Sequence, residues 1–169
     1  MTTSTMLSEH VIGTYNPLDV LEAMFTENDW PFERPDDDEI VVETTGGWCD
    51  YRLFFVWRED LHALYFTCSF DMKIPKEQRR GVNDLLALIN QRMWMGHFDL
   101  CSDDGTPTYR HTLPTRGLKM LSVEQMEDMM DIALAECERF FPAFQFLLWG
   151  SYTPEEAISA ALLDCQGEA

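Results

Sequence analysis

Two neighbouring runs of strict alternation constrain this chain more than any other feature. Between residues 48 and 58, Cys49, Tyr51, Leu53, Phe55 and Trp57 fall on one face and Asp50, Arg52, Phe54, Val56 and Arg58 on the other. Residues 61–72 repeat the pattern, with His62, Leu64, Phe66, Cys68 and Phe70 against Ala63, Tyr65, Thr67, Ser69 and Asp71. A period of two places alternate side chains on opposite faces of a strand, whereas a helix would scatter them around its axis. One face is strongly apolar and the other mixed. The runs therefore predict antiparallel strands that pack on helices on one side and stay partly wet, or engaged with a partner, on the other. Glu59-Asp60 turns the chain between them. Residues 40–45, rich in β-branched side chains and ending at Gly46-Gly47, supply a third strand and a hairpin signal.

The flanking segments read as helices and one more hairpin. Asn16-Pro17-Leu18-Asp19 is a helix start, with a capping Asn, a Pro where its missing N–H costs nothing, and an acid at the positive dipole end. The stripe Leu18, Leu21, Met24, Phe25 carries that helix to about Asn28. A Pro-interrupted stretch, residues 30–35, and the acidic turn Asp36-Asp37-Asp38-Glu39 follow. Pro75 opens a second helix, with Val82, Leu85, Leu86, Ile89 and Met93 at helical spacing until Gly96 stops it. Residues 97–102 and 106–113 form a hairpin about Asp103-Asp104-Gly105. Ser122-x-x-Gln125 is a capping box launching a third helix, which Pro142 is expected to kink or break. Thr153-Pro154-Glu155-Glu156 starts a last helix, to about Cys165. The expected architecture is one α+β domain over residues 16–169, preceded by an arm of residues 1–15: helix, three strands, helix, two strands, helix, and an extra C-terminal helix.

Charge narrows the choice of partners. Twelve basic against thirty acidic residues leave a formal charge of −18 on 169 residues. Such a field repels phosphate backbones and anionic lipid, so neither nucleic acid nor membrane is an expected partner. No apolar run approaches the ~18 residues that span a bilayer, and the start lacks the basic residues and apolar core of an export signal. Five widely spaced cysteines, Cys49, Cys68, Cys101, Cys137 and Cys165, include no Cys-x-x-Cys pair. Free thiols in a reducing cytoplasm are the expected state.

Catalytic signatures are sparse. Asp36-Asp37-Asp38-Glu39 lacks the alternating spacing and glycine of a calcium loop and reads as a solvated turn. Ser69 and Ser102 have no nucleophile elbow around them, and no glycine-rich phosphate loop exists. His97 and His111, on neighbouring strands, could approach one another with Asp99 as a third metal ligand and Cys101 as a nearby thiol. Contact-type residues are more plentiful. Trp48, Tyr51 and Trp57 on the sheet and Trp94 and Met95 after the second helix have hot-spot chemistry. Lys76, Arg79 and Arg80, beside Lys73, form a basic cluster suited to an acidic partner segment or to a second acidic copy of this chain. Ten methionines and several apolar faces exceed what a monomer needs to bury, which favours a homodimer.

The string Trp48-x-x-Tyr51-x-Leu53-x-Phe55-x-Trp57-Arg58 resembles the YbjN family of bacterial proteins. So do Leu85-Leu86-Ala87-Leu88-Ile89-Asn90 and Trp94-x-Gly96-His97-Phe98-Asp99-Leu100. The resemblance continues through Arg110-His111-x-Leu113, Glu124-Gln125-x-Glu127-Asp128 and Glu136-Cys137-Glu138-Arg139-Phe140-x-Pro142-Ala143-Phe144-Gln145. It implies a fold like that of type III secretion chaperones, which commonly dimerise, with the C-terminal helix as an addition to their pattern. It also implies a non-enzymatic regulatory or chaperone-like adaptor that works through protein–protein contacts and needs no cofactor. The family supplies no catalytic residues to carry over. The alternative is a metal- or redox-responsive protein using His97, Asp99, His111 and Cys101.

Overall fold

Local chemistry sets the helix ends. The Asn16 side chain accepts from the Leu18 N–H at 2.9 Å and starts α1 (Pro17–Glu27), with Pro17 in the first turn. The computed structural model describes residues 15–164. The expected arm, with His10, and the thiol of Cys165 lie outside them. After α1 come β1 (Phe32–Asp36), β2 (Glu39–Thr45), β3 (Asp50–Arg58), β4 (Ala63–Phe70), α2 (Arg79–Asn90), β5 (His97–Leu100) and β6 (Pro107–Pro114). The chain ends in α3 (Val123–Trp149) and α4 (Pro154–Asp164). Short 3-10 turns at Glu59–Leu61 and Lys76–Gln78 lead into β4 and α2.

The six strands form one antiparallel sheet in the order β1-β2-β3-β4-β6-β5. Register carries the alternation across the sheet. Val42, Leu53, Cys68, Tyr109 and Phe98 stand opposite one another in a single row, all buried. That face meets Leu18, Leu21 and Phe25 of α1, Val82, Leu85 and Ile89 of α2, Phe140 and Phe144 of α3, and Ala157, Ile158 and Ala161 of α4 in one core. Aromatic rings fill its centre: Phe70 lies edge-on to Phe144 at 5.3 Å and Phe98 to Tyr109 at 5.7 Å, geometries that suit the ring quadrupoles. The neighbouring row, Val41, Phe54, Thr67, Arg110 and His97, points to the opposite face. Polar side chains are knitted together there: Arg110 donates to the Tyr65 hydroxyl at 2.7 Å and to Asp99 at 2.5 Å, and Ser69 meets Thr108 at 3.0 Å.

Three expectations are corrected. The Pro-interrupted stretch is the edge strand β1, whose pairing with β2 shifts register between Glu33 and Asp36, around Pro35. An edge strand tolerates a missing donor at such an irregularity, and Arg34 ties β1 to α1 through Asp19 and Glu22. Of the kink or break expected at Pro142, the break does not occur; α3 runs through it. Phe140, Phe141, Ala143 and Phe144 are all buried around it, and that packing offsets the lost backbone hydrogen bond. Finally, α2 stops at Asn90, before Met93 and Gly96. Among the described residues no helix is long and apolar enough to cross a membrane.

Candidate docking surfaces

The segment from Asn90 to Phe98 leaves α2, turns and enters β5. Asn90 stays in the last helical position but spends its side chain on the next element: it donates to the Phe98 carbonyl at 3.0 Å and accepts from the Phe98 N–H at 2.7 Å. The Tyr109 hydroxyl donates to the Met95 carbonyl at 3.1 Å. Gly96 adopts φ +64°, and a Cβ there would fall 2.4 Å from the Tyr109 ring, so the turn requires glycine. Trp94 stands on this pinned turn with its indole fully exposed, beside a partly exposed Met95. An ordered backbone presenting a bare indole loses little entropy on contact, which is the chemistry of a binding hot spot.

A second feature lies where β3 and β4 meet the segment that follows β6. A groove of about 570 Å³ is bounded by Tyr15, Trp57, Glu59 and His62 on one side and by residues 115–121 on the other. The loop is held by the Thr115 N–H and hydroxyl, both donating to the His62 carbonyl, at 2.8 and 3.0 Å. Tyr15 donates to the Leu121 carbonyl at 3.2 Å. Trp57, 7% exposed, floors the groove, whereas Leu118 and Met120 on its wall are 49% and 59% exposed. Leu61, next to His62, is 63% exposed. Arg116 and Lys119 bring two cations to the same wall.

Residues 17–146 match the model of the YbjN family, described as "Putative bacterial sensory transduction regulator". The chain belongs to the YbjN family. No curated protein matches it. Among solved structures, "Crystal structure of YbjN, a putative transcription regulator from E. coli" is similar at 13% identity, covering 90% of this chain and 93% of that one, with a TM-score of 0.49.

The residues expected to make contacts in this YbjN chain have separate fates. Trp94 and Met95 are open. Trp48 is half exposed and stacks on Phe141 with ring centres 6.2 Å apart. Tyr51 and Trp57 face the helices and belong to the core; as surface contacts they are corrected, although Trp57 still floors the groove. Period-two patterning identifies a face but not what covers it. Lys76 and Arg80 are exposed. Arg79 is instead a clamp, donating to the Ser102 carbonyl at 2.6 Å and to the Ile74 carbonyl at 3.4 Å. Residues 115–121 carried no sequence signal, because the groove joins segments more than fifty residues apart.

The histidine set does not converge. Asp99 is engaged by Arg110 and by the Leu100 N–H. His97 pairs in register with Arg110, so His111 projects from the opposite face of the sheet. Burial, and secondarily the charge of His97, hold the His111 imidazole below its ordinary pKa. Among the described residues no group of three or more His, Cys, Asp and Glu could hold a metal ion. Among the described residues four cysteines are free thiols: Cys68 and Cys137 are buried, Cys49 is half-buried and Cys101 is exposed. Burial pushes the Cys137 thiol well up, and neighbouring Cys68 adds to the shift.

Proposed function

We propose that this YbjN-family protein is a non-enzymatic, cytoplasmic regulatory adaptor that docks an extended or helical segment of another protein, and that it works as a homodimer. The observation that carries this reading is Trp94, a fully exposed indole on a turn fixed by Asn90, Tyr109 and Gly96. Solvating so large an apolar side chain on an ordered turn has a cost that a docking partner removes. The formal charge of −18 supports a polypeptide partner over nucleic acid or lipid. The exposed cations Lys76 and Arg80, near the other end of α2, would favour acidic residues in that partner.

Affinity capture from cell extract with the wild-type chain and with Trp94→Ala tests the docking. The expected result is a protein retained by the wild type and lost by the variant, as a truncation costing about 2 kcal/mol, or roughly thirtyfold in Kd, would produce. Identical retention by both chains would remove Trp94 from the interface. Sedimentation over a range of concentrations tests the homodimer, and a strict monomer at high micromolar concentration would exclude it.

A further inference from the structure

The end of α3 meets the start of α2 at a surface whose charge differs from that of the chain as a whole. Gln78, in the turn before α2, donates its side-chain amide to the Leu148 carbonyl at 3.2 Å. A Cβ on Gly81 would touch Leu147 at 3.9 Å, so the two helix ends lie side by side. Lys76 and Arg80 flank Gln78, and Trp149 follows Leu148. Both cations are exposed, and neither side chain makes an ion pair or hydrogen bond among the described residues. Residues 73–81 hold four cations and one carboxylate, Glu77, in a chain with twelve basic and thirty acidic residues.

The apolar half of the surface stands on an ordered turn. Trp149 is 71% exposed and Tyr152 42%. The Tyr152 ring folds back on Phe146, with ring centres 5.3 Å apart, and a Cβ on Gly150 would fall 2.6 Å from it. Ser151 makes the reversal at φ +56°. Thr153 and Glu156 then cap α4, each side chain accepting from the backbone N–H of the other. An indole and a phenol ring are thus displayed beside two unpaired cations.

Area and sign together select the occupant. Two part-exposed rings supply at most about 300 Å², well short of the roughly 800 Å² per partner of a stable dimer. Two copies at −18 each also repel one another. A short segment needs less area and carries fewer charges; its carboxylates would meet Lys76 and Arg80, and its apolar side chains Trp149 and Tyr152.

We propose that Trp149, Tyr152, Lys76 and Arg80 form a docking surface for a short segment of another protein that combines carboxylates with large apolar side chains. The proposal rests on the adaptor reading and deepens it by naming the chemistry of the segment and a second anchor for it. The 12 residues of α2, about 18 Å of helix, separate this anchor from the turn of Trp94.

Selection from a phage-displayed library of random peptides on the full-length protein tests this. Enriched peptides should combine Asp or Glu with Leu, Phe or Trp, and should bind more weakly as salt is raised. Lys76→Glu/Arg80→Glu and Trp149→Ser should each weaken them about tenfold. Lys76→Arg/Arg80→Lys, which keeps both charges, should bind as the wild type does. A carboxylate in the first turn of α2 suits the helix dipole, so weaker binding by the charge-reversed variant does not come from lost stability. Enrichment of no peptide, of peptides without acidic residues, or of acidic peptides that bind either weakening variant as tightly as the wild type overturns the proposal. So does a wild-type dimer that Trp149→Ser converts to a monomer in sedimentation, since the occupant would then be a second copy. The peptides should bind Trp94→Ala as they bind the wild type, and a loss confined to that variant overturns the second anchor while leaving the adaptor reading intact.

Discussion

The Asn90 side chain closes a two-way hydrogen-bonded ring with the Phe98 backbone, donating at 3.0 Å and accepting at 2.7 Å. One amide thereby joins the end of α2 to the start of β5 and satisfies both polar groups of a residue whose ring lies in the core. The turn carrying Trp94 is the segment enclosed.

Replacing that amide should cost stability. Asn90→Ala leaves a part-buried N–H and C=O without their partner, and a loss of about 2 kcal/mol is expected. Denaturant titration would read it as a lower midpoint with an unchanged slope. Asn90→Asp, which keeps only the acceptor, should fall between the variant and the wild type.

Gly96 is the other fixed point of the turn. Gly96→Ala places a methyl 2.4 Å from the Tyr109 ring and 2.7 Å from the Arg110 carbonyl, on a backbone at φ +64°. Strain and displacement of a buried ring together should cost about 2–4 kcal/mol. A melting temperature within a degree of the wild type would show that the turn is not held as described.

The thiols should separate by accessibility. In a Cys165→Ser background, mild alkylation of the native protein should modify Cys101 first and Cys49 more slowly. Cys68 and Cys137 should react only on unfolding, since each has no exposed surface and burial holds the Cys137 thiol in its neutral form. Mass spectrometry of quenched time points would assign the order. Cys101 also sits beside Asp104, whose carboxyl is held at about 2 by hydrogen bonds from Cys101 and Thr106.

Acid should weaken the fold through His111. Burial, aided by the charge of His97, holds its folded pKa below the ordinary 6.5. As pH falls the unfolded chain therefore binds the proton first, and stability drops. The contribution is complete above about pH 6.5, declines down to the depressed folded value, and is constant below it. In His111→Gln the stability curve should be flatter through that window, measured by denaturant titration at successive pH values.

The extent to which the fold is legible in the sequence varies by element, for physical reasons. β3 and β4 are plain because burial alternates along the whole of β3 and departs from alternation in β4 only at Thr67. β1 is hidden by Pro35, since the same residue that signals a loop is tolerated at an edge irregularity. Pro142 misleads in the opposite direction: tertiary packing of Phe140, Phe141 and Phe144 overrides a local helix breaker. Of the contact residues, Trp94 and Tyr51 look alike as letters. What separates them is a turn that projects one into water and a strand register that buries the other. The groove was invisible because Trp57 and Met120 become neighbours only after the sheet has formed.

The two borders of the sheet bear on how this molecule can associate. One border strand contains Pro35, which cannot donate to an added strand, and the other, β5, is four residues long. Neither offers a template on which a foreign strand could extend the ladder. Growth by strand addition is thereby disfavoured, and on the adaptor reading proposed above contact falls to side chains, where the polypeptide has left an indole or a thioether uncovered.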